Sequence, residues 1–294
     1  MDQNMKKLFA FLCGIFVFIS LAFAAQSAGA AGAARQDGQL KILAIGNSFS
    51  EDGIENYLYE LAQASNKQII IGNLYIGGAS LELHVKNAIK DAATYDYRKI
   101  GLDGKKLKRK AVSIAEALAE EDWDYISFQQ ASSLSGQYDL IMQSLPELMK
   151  YVRERVAPKT QFVFHQTWAY QQDSKHAGFA NYDRDQLKMY TAIAATSKQL
   201  FKAEDFKYLI PAGTAIQNAR TSSIGDYFTR DGYHLQLDYG RFTAACTWYE
   251  KLFKLDVRKN SYKPDLVTAA QAKIAKEAAH QACKKPYKIS RIKG

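Results

Sequence analysis

Residues 40–52 read Leu-Lys-Ile-Leu-Ala-Ile-Gly-Asn-Ser-Phe-Ser-Glu-Asp, and this stretch decides the fold. A short apolar run stops at Gly46-Asn47-Ser48, and a segment with helical character follows it. The pattern predicts a buried parallel strand that turns directly into a helix. Open α/β sheets bind their ligands at the carboxyl ends of such strands, so Ser48 lies where a nucleophile would act.

A serine at a strand end also has a purely structural interpretation. Ser48-Phe49-Ser50-Glu51 fits a capping box, in which Ser48 only caps the helix. A nucleophilic serine needs a base, and Asp231-Gly232-Tyr233-His234 offers one near the other end of the chain. Three residues apart on a turn, the Asp231 carboxylate can orient the imidazole and leave its other nitrogen for the serine proton. Taken alone, an Asp-x-x-His is more often a surface carboxylate beside an ordinary histidine.

Strand-like and helix-like segments alternate along the chain from residue 41 to residue 253. This alternation is typical of a three-layer α/β/α fold with one parallel sheet and helices on both faces. Residues 95–110 predict a small hairpin insertion, whose lysine-rich end would be an exposed edge. Residues 266–283 predict a C-terminal helix that packs on the body or trails from it. The predicted strands end in polar residues, and a parallel sheet brings these ends to one edge.

The first residues have the pattern of a secretory signal peptide. Lys6 and Lys7 precede an apolar stretch that ends in the cleavage signal Ala22-Phe23-Ala24. An uncleaved anchor is the alternative interpretation. No later segment is apolar for long enough to span a bilayer. We therefore expect residues 1–24 to be removed, residues 25–38 to be a flexible leader, and the mature protein to be periplasmic or secreted without a stable membrane span.

The net charge and the cysteines indicate which partners and which cysteine chemistry to expect. The formal net charge of +9 attracts acidic partners, and for an exported protein an acidic polysaccharide is a better candidate than nucleic acid. A generally basic, solvated surface explains the same charge. In an oxidising compartment Cys246 and Cys283 form either a disulfide or two separate buried thiols, and the sequence leaves both open. No group of His, Cys and carboxylate residues has the spacing of a zinc site.

Together the motifs resemble those of the SGNH hydrolase superfamily, the GDSL-like esterases, over residues 40–255. The first block of that family, Gly-Asp-Ser after the first strand, corresponds to Gly46-Asn47-Ser48. Its last block, Asp-x-x-His, corresponds to residues 231–234, and its second-block glycine corresponds to Gly78. Gly-Asn-Ser-Phe with Asp-Gly-x-His is typical of a Bacteroidetes-type branch. The resemblance implies a flavodoxin-like parallel sheet and a catalytic triad of Ser48, His234 and Asp231.

The resemblance also implies an oxyanion hole. The backbone N–H groups of Ser48 and Gly78 would form part of it. The third block of the family, Gly-x-Asn-Asp, adds an asparagine side chain, and this sequence lacks that block. The matching strand end is Phe128-Gln129-Gln130, so we expect Gln129, or else Gln130, to donate an amide N–H instead.

Four further side chains are predicted to lie at the substrate cleft. They follow strand ends or belong to the last block, and they are His84, His165, Trp168 and Tyr233. Trp168 or Tyr233 can stack on the face of a sugar ring. Each of the four also has an ordinary interpretation, as a helix-surface histidine or as a packing residue.

The function implied by the resemblance is that of an exported serine esterase. It would hydrolyse an acetyl or methyl ester on a carbohydrate or polysaccharide, and an acidic glycan such as pectin would suit the basic charge. This chemistry needs neither a metal nor an organic cofactor. Two alternatives are a catalytically inactive glycan-binding protein, supported by the missing third block, and an acyltransferase. The hydrolase-like domain is predicted over residues 39–255, followed by a C-terminal helical extension over residues 256–294.

Overall fold

The central strand of the molecule is β1 (Gln39–Gly46), the apolar run that the sequence predicts. The structure is a computed structural model and describes residues 39–293. The predicted signal peptide and flexible leader lie outside the described residues. From Ile42 onward β1 is buried, and its side chains alternate between the two faces of the sheet. Leu43 and Ile45 belong to one apolar cluster, while Ile42 and Ala44 belong to another.

Seven strands form one sheet in the order β4-β3-β2-β1-β5-β6-β7. The five strands β2, β1, β5, β6 and β7 are parallel, which confirms the predicted flavodoxin-like sheet. The chain passes from β1 to β2 on one side and later returns to β5 on the other side. The carboxyl end of β1 is therefore the topological switch point. Beside β1, the parallel strands are β2 (Gln68–Tyr75), β5 (Tyr125–Phe128), β6 (Gln161–His165) and β7 (Tyr208–Ile210).

The predicted hairpin insertion extends the sheet at one edge. It consists of β3 (Tyr95–Ile100) and β4 (Lys106–Val112), which pair antiparallel to each other, with β3 also antiparallel to β2. Six of the seven residues of β4 are exposed, as expected for an edge strand protected by lysines. Arg98 of β3 is buried and forms ion pairs with Glu51 and Glu55, so the hairpin also holds the segment that follows β1.

Ten α-helices of the described residues cover both faces of the sheet, as predicted for a three-layer fold. One face carries α3 to α6 and the other carries α1, α2, α9 and α10, while α7 and α8 enclose a third apolar cluster. Their bounds are α1 (Ser48–Ile54), α2 (Leu58–Gln63), α3 (Leu81–Ile89), α4 (Ile114–Ala119), α5 (Tyr138–Met142), α6 (Leu145–Arg153), α7 (Gln186–Ala203), α8 (Ala212–Ala219), α9 (Tyr239–Phe253) and α10 (Ala269–Lys284).

One helix, α8, lies between the last strand and the Asp231 loop and is not among the predicted elements. Every residue from Ala212 to Ala219 is buried, because the helix is enclosed by its neighbours on all sides. Its apolar residues Ala212, Ala215, Ile216 and Ala219 follow helical spacing, but the helix is only eight residues long, and its polar residues Thr214, Gln217 and Asn218 are also typical of a loop.

The C-terminal helix α10 packs on the body rather than trailing from it. Ala275 and Ala279 lie in the same apolar cluster as residues of β1 and α9. The described residues contain no helix that is both long and apolar enough to cross a membrane. Cys246 on α9 and Cys283 on α10 are free thiols, which decides between the two states left open by the sequence. Burial raises the pKa of both thiols, so neither is a reactive thiolate near neutral pH.

Candidate active site

Asn47, and not Ser48, caps the helix that starts at the end of β1. The Asn47 Oδ1 atom accepts the backbone N–H of Phe49 at 2.9 Å. The turn needs a glycine before it, because a Cβ atom on Gly46 would lie 2.5 Å from the Ser50 Oγ atom. Ser48 is the first residue of α1, and its hydroxyl is left for another partner.

That partner is His234. The His234 Nε2 atom lies 2.8 Å from Ser48 Oγ, and His234 Nδ1 lies 2.6 Å from Asp231 Oδ2. The other carboxylate oxygen, Asp231 Oδ1, accepts the backbone N–H groups of Tyr233 and His234 at 3.2 and 2.8 Å. A carboxylate only accepts, so Nδ1 carries a proton and Nε2 of the neutral ring accepts the Ser48 hydroxyl. The structure thus brings all three predicted triad residues into one hydrogen-bonded chain.

The electrostatics suit this orientation of the imidazole. Burial alone would raise the pKa of Asp231, but the hydrogen bonds from His234 and the backbone outweigh burial and hold that pKa below its ordinary value. The carboxylate is therefore ionised throughout the neutral range. A charged Asp231 fixes the proton of His234 on Nδ1 and stabilises the imidazolium that forms when Ser48 loses its proton.

Two backbone segments meet in front of Ser48. Gly78 lies in the turn after β2 with a φ of +68°, a backbone conformation that favours glycine. The Asn47 Nδ2 atom donates to the carbonyl of Ala79 at 2.9 Å, which ties this turn to the start of α1. Because Ser48 begins a helix, its N–H has no intrahelical acceptor. Ser48 and Gly78 both line the cleft between these two segments.

The cleft has a volume of about 390 Å³. Its lining combines small residues, aromatic rings and hydroxyl groups, and no Lys, Arg, Asp or Glu side chain is among the described residues that line it. The lining residues are Asn47, Ser48, Phe49, Tyr75, Gly77, Gly78, Ala131, Ser132, Ser133, His176, Tyr233 and His234. Of the four predicted substrate contacts, only Tyr233 lies here.

The two glutamines expected to complete the oxyanion hole have other partners. Gln129 Nε2 donates to Asn47 Oδ1 at 2.8 Å, and its Oε1 atom lies 2.8 Å from His165 Nδ1. Gln130 Oε1 accepts the N–H groups of Leu81 and Ala131 at 3.0 and 2.8 Å. Both side chains are buried, and neither lines the cleft. The predicted assignment of Gln129 and Gln130 as oxyanion donors is corrected accordingly: they brace the backbone behind the site.

Three further predictions are corrected in the same way, because the side chains are buried in the core. His84 lies on the buried face of α3, with its Nδ1 atom 2.8 Å from the Tyr95 hydroxyl. His165 lies behind Gln129. Trp168 is fully buried, stacks on Phe49 with ring centroids 4.4 Å apart and donates its Nε1–H to the Tyr233 carbonyl at 2.7 Å. Trp168 thus supports the floor of the cleft instead of contacting a substrate.

His176 is a cleft residue that is not among the predicted site residues. Its Nδ1 atom accepts the Gly178 N–H at 3.0 Å, and its ring centroid lies 4.8 Å from that of Tyr233. Burial, followed by the neighbouring His234, lowers the pKa of His176, so the neutral ring with its proton on Nε2 is favoured. Tyr75, Ser132 and Ser133 are also missed as cleft residues. They directly end β2 or follow β5, and that position was the available signal.

One group of possible metal ligands exists among the described residues, away from this cleft. Glu250, Asp256 and His280 place their ligand atoms within 4.8 Å of one another. The group is internally paired, since His280 Nδ1 lies 2.8 Å from Glu250 Oε1 and Asp256 is bound by Arg258. None of these residues lines the cleft.

The sheet order and the arrangement of Ser48, His234, Asp231 and Gly78 agree with the resemblance to SGNH hydrolases that the sequence motifs carry. The chain belongs to the family described as "Domain of unknown function (DUF4886)", whose model matches residues 41–282. A crystal structure of a DUF4886 family protein from Bacteroides uniformis is 51% identical, with a TM-score of 0.85 over 86% of this chain and 98% of that one.

Other solved structures have lower sequence identity and lower TM-scores. One from Slackia heliotrinireducens, described as a candidate SGNH hydrolase, is 20% identical with a TM-score of 0.46, over 72% of this chain and 98% of that one. An acetylxylan esterase from Geobacillus stearothermophilus is 12% identical with a TM-score of 0.44, over 73% and 93%. No curated protein matches the chain at a significant level.

Proposed function

We propose that this protein is an exported serine esterase that hydrolyses an acetyl or methyl ester on a carbohydrate or polysaccharide. The observation that carries the proposal is the chain of hydrogen bonds from Asp231 through His234 to Ser48, at 2.6 and 2.8 Å. A serine hydroxyl is a weak nucleophile until a base accepts its proton, and the oriented imidazole is that base.

The reaction follows from this geometry. Ser48 Oγ attacks the ester carbonyl while His234 Nε2 takes its proton, and the N–H groups of Ser48 and Gly78 stabilise the oxyanion. Each such donor contributes about 3 kcal/mol to the transition state. The C–O bond to the alcohol then breaks, and His234 returns the proton to the departing alcohol oxygen. Water, activated by His234, cleaves the acyl-enzyme ester and releases the acid together with free Ser48.

The lining of the cleft supports a small, uncharged ester group. The small residues Gly77, Gly78 and Ala131 leave room near the nucleophile. Tyr233 offers an aromatic ring on which a sugar can stack, as does the face of Tyr75 that the Arg98 guanidinium does not cover. An acetylated hydroxyl and a methyl-esterified carboxyl are both uncharged, in agreement with a lining free of Lys, Arg, Asp and Glu among the described residues. The net charge of +9 supports an acidic polysaccharide as the carrier of that ester.

The test is release of acetate and methanol from a panel of plant and host polysaccharides by wild type, Ser48→Ala and His234→Ala. We expect release by wild type and a loss of at least 10³-fold in either variant. Full release by Ser48→Ala would refute the serine mechanism. Which of the two products appears identifies the ester, and an added sugar acceptor that takes up the acyl group would identify an acyltransferase.

A glycan-binding protein without catalysis is the second candidate. It is favoured by one observation, namely that the amide of Gln129 is bound to Asn47 and so does not replace the asparagine donor of the third block. A serine-directed fluorophosphonate separates the two candidates. Covalent labelling of Ser48 in wild type, abolished in His234→Ala, supports the esterase, whereas glycan binding without labelling supports the binding protein.

A further inference from the structure

The side chain of Asn47 joins the two backbone segments that flank the cleft. Its Oδ1 atom accepts the Phe49 N–H at 2.9 Å, and its Nδ2 atom donates to the Ala79 carbonyl at 2.9 Å. Phe49 follows Ser48, and Ala79 follows Gly78. The orientation of this buried amide therefore sets the distance between the two N–H groups proposed to bind the oxyanion.

A second amide and an imidazole stand behind Asn47. Gln129 Nε2 donates to Asn47 Oδ1 at 2.8 Å, and Gln129 Oε1 lies 2.8 Å from His165 Nδ1. Both residues are about 1% exposed. In such an interior an unpaired polar atom is costly, so each hydrogen bond of the series holds its two members in one orientation. The far end of the series, His165 Nε2, is buried without a hydrogen-bond partner.

The direction of every hydrogen bond in this series follows from the backbone. The Phe49 N–H requires an oxygen and the Ala79 carbonyl requires an N–H, which fixes the two ends of the Asn47 amide. Gln129 must then present its nitrogen to Asn47 and its oxygen to His165. His165 consequently donates from Nδ1, and when the ring is neutral its proton is on Nδ1.

From this geometry we infer that Gln129 and His165 are positioning residues, which hold Asn47 and through it fix the spacing of the Ser48 and Gly78 N–H groups. The inference rests on the proposed esterase function. It also assigns a role to the strand end that departs from the family pattern. That strand end braces the oxyanion hole from behind, where the family's third block donates to the oxyanion directly.

The protonation state of His165 agrees with the series. Burial lowers the pKa of His165 to about 3, so the ring carries no charge at neutral pH. A neutral donor at Nδ1 gives Gln129 a constant partner over the working range of an enzyme. Loss of Gln129 removes one of the three hydrogen bonds of the Asn47 amide, and loss of His165 leaves the oxygen of Gln129 without its donor. The two backbone bonds then hold Asn47 less rigidly, and misplaced oxyanion donors lose much of their effect.

The first arm of the test needs no enzyme activity. We would label the histidines of the full chain with ¹⁵N and assign His165 by its disappearance in His165→Asn. The expected result is a neutral ring with its proton on Nδ1 from pH 5 to pH 8. A ring protonated on Nε2, or a charged ring, would overturn the inferred series of hydrogen bonds.

The second arm compares Gln129→Met, which keeps the volume and removes the amide, with His84→Asn as a matched control. His84 is an equally buried histidine with a hydrogen bond to Tyr95, outside the cleft. We expect Gln129→Met to lower kcat about 100-fold with KM within about twofold, because only the transition state depends on the oxyanion donors. His84→Asn should keep its kcat even if it loses stability.

The conservative variant His165→Asn supplies a rescue. The Asn Nδ2 atom occupies the position of the imidazole Nδ1, so this variant keeps the donor to Gln129, whereas His165→Leu removes it. We expect the kcat of His165→Asn to lie within about fivefold of the wild-type value, and the kcat of His165→Leu to be close to that of Gln129→Met.

A folded Gln129→Met variant with unchanged kcat would overturn the positioning role. If wild type cleaves no ester, the proposed function and the catalytic part of the inference fail, while the tautomer of His165 decides the hydrogen-bond series by itself.

Discussion

The Asp52 Oδ2 atom accepts the backbone N–H of Leu235 at 2.8 Å. Asp52 lies one turn after Ser48 on α1, and Leu235 directly follows His234, so this bond joins the helix of the nucleophile to the loop of the base. Asp52 is fully buried, and its two oxygens also bind the guanidinium groups of Arg230 and Arg241. A short hydrogen bond from Arg230 to the Leu235 carbonyl closes this arrangement.

Asp52→Asn tests this connection. The amide keeps an oxygen for the Leu235 N–H but removes the carboxylate that pairs with Arg230 and leaves Arg241 only its longer contact with Glu51, at 3.9 Å. We expect a loss of about 3 kcal/mol in the free energy of unfolding, measured in urea, together with a drop in kcat as the base loses its fixed distance from Ser48. Asp183→Asn is the control, because Asp183 forms an exposed ion pair with Lys188 worth less than about 1 kcal/mol. Equal effects of the two substitutions would contradict the role of Asp52.

Asp231→Asn should keep the fold and lose the chemistry. Two backbone N–H groups bind Asp231 Oδ1, so the oxygen of an Asn side chain would remain there and its NH₂ group would face His234 Nδ1. His234 would then carry its proton on Nε2 and could not accept the proton of Ser48. We expect kcat to fall about 10⁴-fold with an unchanged unfolding midpoint. A loss below tenfold would show that Asp231 does not set the tautomer.

Gly78→Ala separates backbone strain from steric clash. A Cβ atom on Gly78 would meet nothing within 4 Å, but the φ of +68° is unfavourable for alanine. We expect a loss of about 1–2 kcal/mol in stability and a lower kcat, because relief of the strain rotates the N–H away from the cleft. Gly77→Ala is the matched control, since its φ lies outside the left-handed region and its Cβ would make an ordinary contact at 3.5 Å. A Gly78→Ala variant as active as Gly77→Ala would argue against an oxyanion role for Gly78.

Much of the fold follows from local sequence patterns. Patterns of consecutive residues predict three features: the apolar strands, the turn at Gly46 and the lysine-rich hairpin edge. The structure has all three where they were predicted. The order of the motifs also identified Ser48 and His234, which are 186 residues apart and 2.8 Å from each other.

The parts that sequence reasoning missed depend on partners that are distant in the chain. Asn and Ser are comparable helix caps, so the sequence could not say whether residue 47 or 48 caps α1. Gln129 has the right donor for an oxyanion hole, but Asn47, 82 residues away, takes that donor. His84 and His165 follow strand exits as cleft residues do, and only the packing of α3 and the sheet shows them to be buried.

These two buried histidines predict how stability depends on pH. Burial lowers the pKa of His84 to about 4 and that of His165 to about 3, from an ordinary value of 6.5. Below pH 6.5 each ring is protonated in the unfolded chain and neutral in the folded one. The unfolded state therefore binds more protons, and the stability that is fully present above pH 6.5 is lost as the pH falls toward 4 and 3.

We expect the free energy of unfolding to decrease by about 3 kcal/mol between pH 6.5 and pH 5 through these two groups together. Urea titrations between pH 6.5 and pH 5 measure this decrease. Most carboxylates of the unfolded chain titrate at lower pH and so contribute little to it. His84→Asn and His165→Asn should each remove about half of the slope, whatever their constant effect on stability. His176→Asn is the control, because His176 is partly exposed and its smaller pKa shift contributes less. A slope that neither buried-histidine variant changes would show that the two rings are charged in the folded protein.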